Sequence, residues 1–401
     1  MFEKFIARQP IFDEKLKVFA YELLFRASSH NVFEFRKEAS STAIVDSVTL
    51  FDLQALTGHA KAFVNVDEAA LRREAPRLLP PDRVILEILE TVVPSPEVVE
   101  ICRGLRASGY VIALDDFVDH EKWAPLTELA KFIKVDFRIT GGEMRRALVQ
   151  RFRGRGVQLL AEKVETQEEV QEARALGYTL FQGFFFCKPA MVAVRDIPGN
   201  KLNYVRLLEA VSAREFSRER IEELLKQDPS LVFKLLRYLN SPILGLRSEV
   251  RGISHAISLL GDVEFRRWIS ILAIVGMASD KPPELIRTAL TRGFFCEEFS
   301  RLTEMTVQSA DLFLLGLLSV TDAILDRPIE NILSSLPVSS EVRTALCGGA
   351  NGFRDVYDTL LAYEQADWNA LSNAAGRIGP IEAAVPDCYQ AAAARAGALI
   401  G

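Results

Sequence analysis

Short apolar runs alternate with helical patterns through the first 190 residues, and this alternation constrains the fold more than any other feature of the chain. The strand candidates are Val18–Leu24, Ala62–Val66, Val84–Ile88, Val111–Leu114, Phe132–Val135, Leu159–Ala161 and Thr179–Phe186. Most are near-continuous apolar runs, the pattern of parallel strands covered on both faces. Helical segments fall between them, at Asp67–Leu78, Pro96–Ser108, Trp123–Ala130, Gly142–Arg153 and Gln167–Leu176. Repeated strand–helix units build a parallel sheet, and about eight of them close naturally as a barrel. The opening strand is expected from Phe5–Ile11, in an irregular start.

The run Asp196-Ile197-Pro198-Gly199-Asn200 gathers turn formers and reads as a domain boundary. Beyond it the pattern becomes helical: Arg220–Lys226, Leu231–Leu239, Ile253–Leu260, Glu264–Ala278, Pro283–Leu302, Ser309–Ile324 and Gln390–Leu399. Asp228-Pro229 and Ser241-Pro242 mark helix boundaries. The expected architecture is therefore an α/β domain over 1–195, a TIM-like (β/α)8 barrel, followed by an all-helical domain over 200–395. A length of 401 residues suits two domains at roughly 100–200 residues each.

Composition removes several function classes. The net charge is −6 and no basic run or basic–aromatic stripe occurs, so nucleic acid is not an expected ligand. The five cysteines form no CxxC pair, which suits reduced thiols in a cytoplasmic protein. No stretch reaches the ~20 apolar residues needed to span a bilayer. The N-terminus carries no signal-peptide pattern.

Polar residues stand at the ends of the apolar strands: Glu22, Asn65, Glu87, Asp115 with Asp116, Lys134, Glu162 and Gln182. Strand C-terminal ends converge on one rim of a parallel barrel. There Glu22, Glu87, Asp115, Asp116 and Glu162 repel one another unless cations neutralise them. Carboxylates with the amide oxygen of Asn65 form a hard donor set, suited to Mg²⁺, Mn²⁺ or Ca²⁺ rather than zinc. A pair of such ions can hold a phosphodiester and acidify a bridging water. Lys134 can orient that water or stabilise charge on the phosphate. A single strand-end carboxylate is commonly a helix cap or a surface ion-pair partner. The full set on successive strands, with a lysine and an amide, is not explained that way.

Residues 1–190 resemble the EAL domain, the family of cyclic di-GMP phosphodiesterases and their inactive receptor relatives. The resemblance runs through Arg8-Gln9-Pro10-Ile11, Glu22-Leu23-Leu24, Phe63-Val64-Asn65, Leu86-Glu87-Ile88-Leu89-Glu90 and Asp115-Asp116-Phe117. It continues in Ile133-Lys134-Val135-Asp136, Ala161-Glu162-Lys163-Val164-Glu165-Thr166 and Gln182-Gly183-Phe184-Phe185-Phe186-Cys187-Lys188-Pro189. It implies Glu22, Asn65, Glu87, Asp115, Asp116 and Glu162 as ligands of Mg²⁺ or Mn²⁺, in a site able to hold two ions. It implies a catalytic set of Glu22, Lys134 and Glu162. Gln9, Arg26, Gln182 and Asp136 would face the dinucleotide, with Glu90 and Glu165 supporting the ligands from behind. Two departures stand out. Leu23 replaces the usual alanine, and Val118-Asp119-His120-Glu121-Lys122-Trp123 replaces a glycine-rich loop after Asp-Asp-Phe. The ligand set argues for hydrolysis to pGpG. The loop argues for the alternative, an inactive barrel acting only as a protein-interaction scaffold.

The second half resembles the HDOD domain, a helical relative of HD metal phosphohydrolases. The resemblance rests on Lys226-Gln227-Asp228-Pro229-Ser230-Leu231, Lys234 to Ser241, and Ile253-Ser254-His255-Ala256-Ile257 with Leu260-Gly261. Ser319-Val320 occupies the place expected for the His-Asp pair, and His255 is the one histidine of this half. The implied role is non-catalytic: regulation through a protein partner. Self-association into a homodimer is a further expectation. The whole chain is thus expected to be a bacterial cyclic di-GMP signalling protein of the cytoplasm.

Overall fold

The computed structural model describes residues 5–26, 53, 57–118, 120–187, 199–213, 217–226, 253–303, 305 and 308–400. The chain divides into two compact units, 1–186 with 363–369 and 187–362 with 370–401. The boundary run expected at 196–200 lies mostly outside the described residues.

The first unit is a closed barrel of eight strands in chain order. They are β1 (Phe5–Asp13), β2 (Val18–Arg26), β3 (Lys61–Val66), β4 (Val84–Ile88), β5 (Val111–Leu114), β6 (Phe132–Asp136), β7 (Gln158–Glu162) and β8 (Leu180–Gln182). Strands β2 to β8 pair in parallel. The opening departs from a uniform (β/α)8 barrel, because β1 is antiparallel to both β2 and β8. A tight turn joins β1 to β2. Asp13 Oδ1 accepts the backbone N–H groups of Lys15 (2.8 Å) and Lys17 (2.9 Å), and Leu16 takes a left-handed φ of 56°.

An apolar layer with one residue from each strand fills the barrel: Ile11, Ala20, Phe63, Ile85, Ala113, Phe132, Leu160 and Leu180. Side chains two places apart on a strand share a face. Two places further along the parallel strands stand Glu22, Asn65, Glu87, Asp115, Lys134, Glu162 and Gln182. On β1, which runs the other way, two places back from Ile11 is Gln9, paired in register with Glu22. A wholly polar layer therefore sits directly on a wholly apolar one.

Several sequence-predicted elements are shorter in the structure. Thr179–Phe186 keeps only β8 as strand and then turns into a 3-10 segment, Phe184–Cys187. Gly183 forces the break. Its φ is 146°, and a Cβ there would sit 2.0 Å from the Val164 carbonyl oxygen. Asp67–Leu78 divides into helix Glu68–Arg72 and a 3-10 turn, Ala75–Leu78, at the left-handed Glu74. Trp123–Ala130 contracts to Ala124–Thr127, whereas Gln167–Leu176 is a helix with a full capping box between Thr166 and Glu169.

Among its described residues the second unit contains helices and no strand. Its helices include Gly199–Ser212, Arg218–Lys226, Ile253–Met277, Pro283–Ser300, Ser309–Leu318, Thr321–Leu325 and Val385–Ile400. Ile253–Met277 is interrupted at Gly261 (φ 74°), matching the two segments expected there. The single helix expected over Ser309–Ile324 is two, because the hydroxyls of Ser319 and Thr321 bond back to the carbonyls of Gly316 and Leu318. The helix expected at Leu231–Leu239 lies outside the described residues. Among the described residues, no helix is long and apolar enough to cross a membrane.

Candidate active site

Lys134 is the centre of the polar layer. Its Nζ lies 2.7 Å from Glu162 Oε1, 3.1 Å from Asp115 Oδ1 and 3.4 Å from Glu22 Oε1, and it hydrogen-bonds Glu87 Oε1. The lysine side chain is only 1% exposed. Burial alone would lower its pKa, but the carboxylates of Glu162, Glu22, Glu87 and Asp115 outweigh burial and hold the ammonium well above its ordinary value.

The acids respond unequally. Burial pushes Glu162 up to about 8, against the pull of Lys134. Burial and the neighbouring Glu22 push Glu87 well above the usual carboxylate range. Asp115 is also desolvated, yet Lys134 and its hydrogen bonds bring it below its ordinary value. Burial and Asp115 raise Asp116.

Neighbouring residues brace this cluster. Gln182 Nε2 donates to Glu22 Oε2 (2.5 Å) and to Gln9 Oε1 (3.1 Å). Asn65 stands opposite Glu87 in the β3–β4 register. Oxygens of Glu90, Asp115 and Asp116 lie within 4.8 Å of one another. Asp136 is buried; its Oδ1 accepts the Arg138 N–H (2.7 Å) and its Oδ2 meets Lys163 Nζ (2.5 Å). Glu165 pairs with Arg138 on the rim. Arg26 ends β2, and its side chain lies outside the described residues.

The sequence-predicted residues thus converge at one mouth, save Arg26, on which the structure is silent, and Glu165, whose partner Arg138 is an exposed side chain. Lys163, inside the Ala161–Thr166 motif, joins the mouth without having been expected there from the sequence. The signal lay in the register: Asp136 pairs with Glu162, which places the next residue beside the Asp136 carboxylate.

One feature tests whether a cation fits. Asn65 Oδ1, Glu87 Oε2, Glu162 Oε2 and Gln182 Oε1 are buried with no hydrogen-bond partner. Buried polar atoms normally find partners, and an orphan costs about 1–3 kcal/mol. Four orphaned acceptors and no orphaned donor in one layer match a hard divalent cation.

In the helical unit, the place expected for a His-Asp pair holds Ser319, which accepts from Arg292 Nη1 (3.2 Å), and the fully buried Val320. The His255 side chain lies outside the described residues.

This fold and donor layer define a TIM-like barrel with a carboxylate mouth joined to a helical unit, and sequence comparison agrees. The EAL domain family matches residues 5–189 and the HDOD domain family matches residues 197–326. An uncharacterized protein of Bacillus subtilis, YuxH, is 33% identical over 96% of this chain and 96% of its own length. The cyclic di-GMP phosphodiesterase CdgJ of Vibrio cholerae is 31% identical over 92% of this chain and 87% of its own. The chain belongs to the EAL–HDOD family. Among solved structures, the manganese/cyclic di-GMP complex of Klebsiella pneumoniae BlrP1 is 27% identical, with a TM-score of 0.40, over 46% of this chain and 55% of that one.

Proposed function

We propose that the barrel binds cyclic di-GMP with Mg²⁺ or Mn²⁺ at this mouth and opens one phosphodiester to give linear pGpG. The observation that carries the reading is the polar layer itself: four carboxylates around one buried ammonium, with acceptor oxygens left over. Similarity to the phosphodiesterase CdgJ across nearly the whole chain supports it.

Oxygens of Glu22, Asn65, Glu87, Asp115, Asp116 and Glu162 would hold the cations. Bound there, divalent ions supply a water acidified toward hydroxide and neutralise phosphate charge. The chain's own residues do the rest. Lys134 keeps the carboxylates gathered and presents a fixed positive charge where the phosphate gains negative charge. Gln182, anchored to Gln9, fixes Glu22. The apolar layer beneath keeps water out from below, which strengthens every charge interaction at the mouth. Asp136 and Arg26 serve the dinucleotide at the rim.

The HDOD unit, in this reading, is non-catalytic and acts through a protein partner. Ser319 and Val320, which offer no imidazole or carboxylate at the expected metal position, support that role. In this reading the protein works in the cytoplasm, which its five cysteines without a CxxC pair support.

Turnover of cyclic di-GMP to pGpG, followed chromatographically in Mg²⁺ and in Mn²⁺, tests the proposal. Glu22→Ala should lower turnover by about 10³-fold or more. Undiminished activity in the variant would reject the site. Calorimetric binding of cyclic di-GMP without turnover in either metal would favour a receptor role, to which the glycine-free loop 118–123 already points.

A further inference from the structure

We infer that Lys163 is a positioning residue of the mouth: a tethered cation that ties Asp116 to Asp136 and competes with a divalent ion for Asp116. The inference rests on the cation-binding reading of the barrel and adds a residue that sets how tightly the outer part of the mouth holds its ion.

The backbone provides the first observation. Lys163 has a φ of 54° and Asp116 a φ of 37°, both in the left-handed region. That region is unfavourable for a residue with a Cβ and free of cost for glycine. Aspartate tolerates it better than most residues, whereas lysine has no such excuse. The position does not drift, because the next residue is locked. Val164 N–H donates to the Gln182 carbonyl (3.0 Å), and the Val164 carbonyl accepts from Phe185 N–H (3.3 Å). Strain held at a functional mouth calls for a side chain that repays it.

The side chain provides the second. Lys163 Nζ lies 2.5 Å from Asp136 Oδ2 and 3.5 Å from Asp116 Oδ1. Asp136 is buried and anchored by the Arg138 N–H, so it is a fixed post. Asp116 belongs to the Glu90–Asp115–Asp116 group, whose oxygens lie within 4.8 Å of one another. Lys163 therefore stands at the outer acidic group as Lys134 stands at the inner one.

The difference between the two lysines is burial. Lys134 is 1% exposed and enclosed by four acids, whereas the Lys163 side chain is 43% exposed and touches two. A half-exposed ammonium is displaced more easily than a buried one, yet it still repels a divalent ion arriving at Asp116. Removing it leaves both carboxylates and takes away the competing charge. Affinity for the outer cation should then rise by about tenfold, the size of effect expected for one partly screened charge at this range.

The experiment is a titration of the full-length protein with Mn²⁺, reading free Mn²⁺ by electron paramagnetic resonance and heat by calorimetry. Wild type should show one tighter and one weaker class of Mn²⁺. In Lys163→Met the weaker class should tighten about tenfold, with the tighter class unchanged. Lys163→Arg keeps the charge and should bind as wild type does. Lys163→Gly removes the charge while accepting the left-handed backbone, so it should show the same tenfold tightening even if the methionine variant folds poorly. A weaker class that stays unchanged or loosens in both neutral variants would overturn the inference and leave Lys163 as a support for the loop. No Mn²⁺ uptake by any of the proteins would instead reject the cation reading of the mouth, and this inference with it.

Discussion

Lys134 in the barrel and Glu297 in the helical unit are both buried charges enclosed by opposite ones, built in opposite proportions. Around Lys134 stand four carboxylates for one ammonium, and Glu87 Oε2 and Glu162 Oε2 are left without a partner. Glu297 is 1% exposed and receives two guanidiniums. Arg267 bonds its Oε1, and Arg395 reaches its Oε2 at 3.2 Å. Both arginines lie over aromatic rings, Arg267 5.6 Å from the centre of Phe313 and Arg395 4.1 Å from that of Phe294. The Glu297 network saturates its acceptors and ties three helices together. The Lys134 network leaves acceptors over, at a stability cost that a bound proton, favoured by the raised pKa values of Glu87 and Glu162, or a further cation relieves. A buried ion network therefore shows its purpose in what it leaves unpaired.

The comparison is most exposed to removing each central charge in turn. Lys134→Met in EDTA leaves four crowded acids with no internal counter-ion, and should lower the barrel's stability by about 4 kcal/mol. Mn²⁺ should restore most of that loss. Calorimetric melting in the two buffers checks it, and a loss unaffected by Mn²⁺ would mean the acids are not a cation site. Glu297→Ala strands two arginines and should cost the helical unit about 3 kcal/mol, equally with or without Mn²⁺. A metal-dependent effect there would erase the contrast between the two regions.

The smallest effect concerns Asp322, an intermediate case in the helical unit. Burial pushes its pKa up to about 6 from an ordinary 3.8, although the Ala323 N–H and Arg292 favour its charged form. The folded state thus holds the proton more tightly than the unfolded one. The resulting penalty is absent below about pH 4 and complete above about pH 6. Asp322→Asn keeps an acceptor for the Ala323 N–H, which Asp322 Oδ1 now accepts at 2.8 Å. It should stabilise the helical unit by about 2 kcal/mol at pH 7.5 and by little at pH 4, read as a pH-dependent melting shift. A stabilisation equal at both pH values would show that Asp322 has the same pKa in the folded and unfolded protein.

Much of the barrel was legible because its signals are local. Val84–Ile88, Val111–Leu114 and Gln167–Leu176 stand where the apolar runs and capping residues put them. The strand-end acids were legible for the same reason, since alternation along a strand places Glu87 on the face of Ile85 whatever the strand's neighbours are. Less was readable where a backbone contact decides the element. Nothing near Gly183 announces that the Val164 carbonyl lies where a Cβ would go. Likewise, Ser309–Ile324 has one helical period but breaks where hydroxyls bond back to carbonyls.

By itself, then, the sequence determined which residues alternate, which strand ends carry acids, and where a barrel gives way to helices. Those properties depend on neighbours two to four places apart. The tertiary structure alone decided that β1 runs antiparallel, that Lys134 occupies the centre of the acids, and that Lys163 reaches Asp116 and Asp136. Lys134 and Glu87 are 47 positions apart, as are Lys163 and Asp116, and Gln182 and Glu22 are 160 apart. Closure of the sheet and its register bring such pairs together, and both are set by packing across the whole barrel rather than by any local preference.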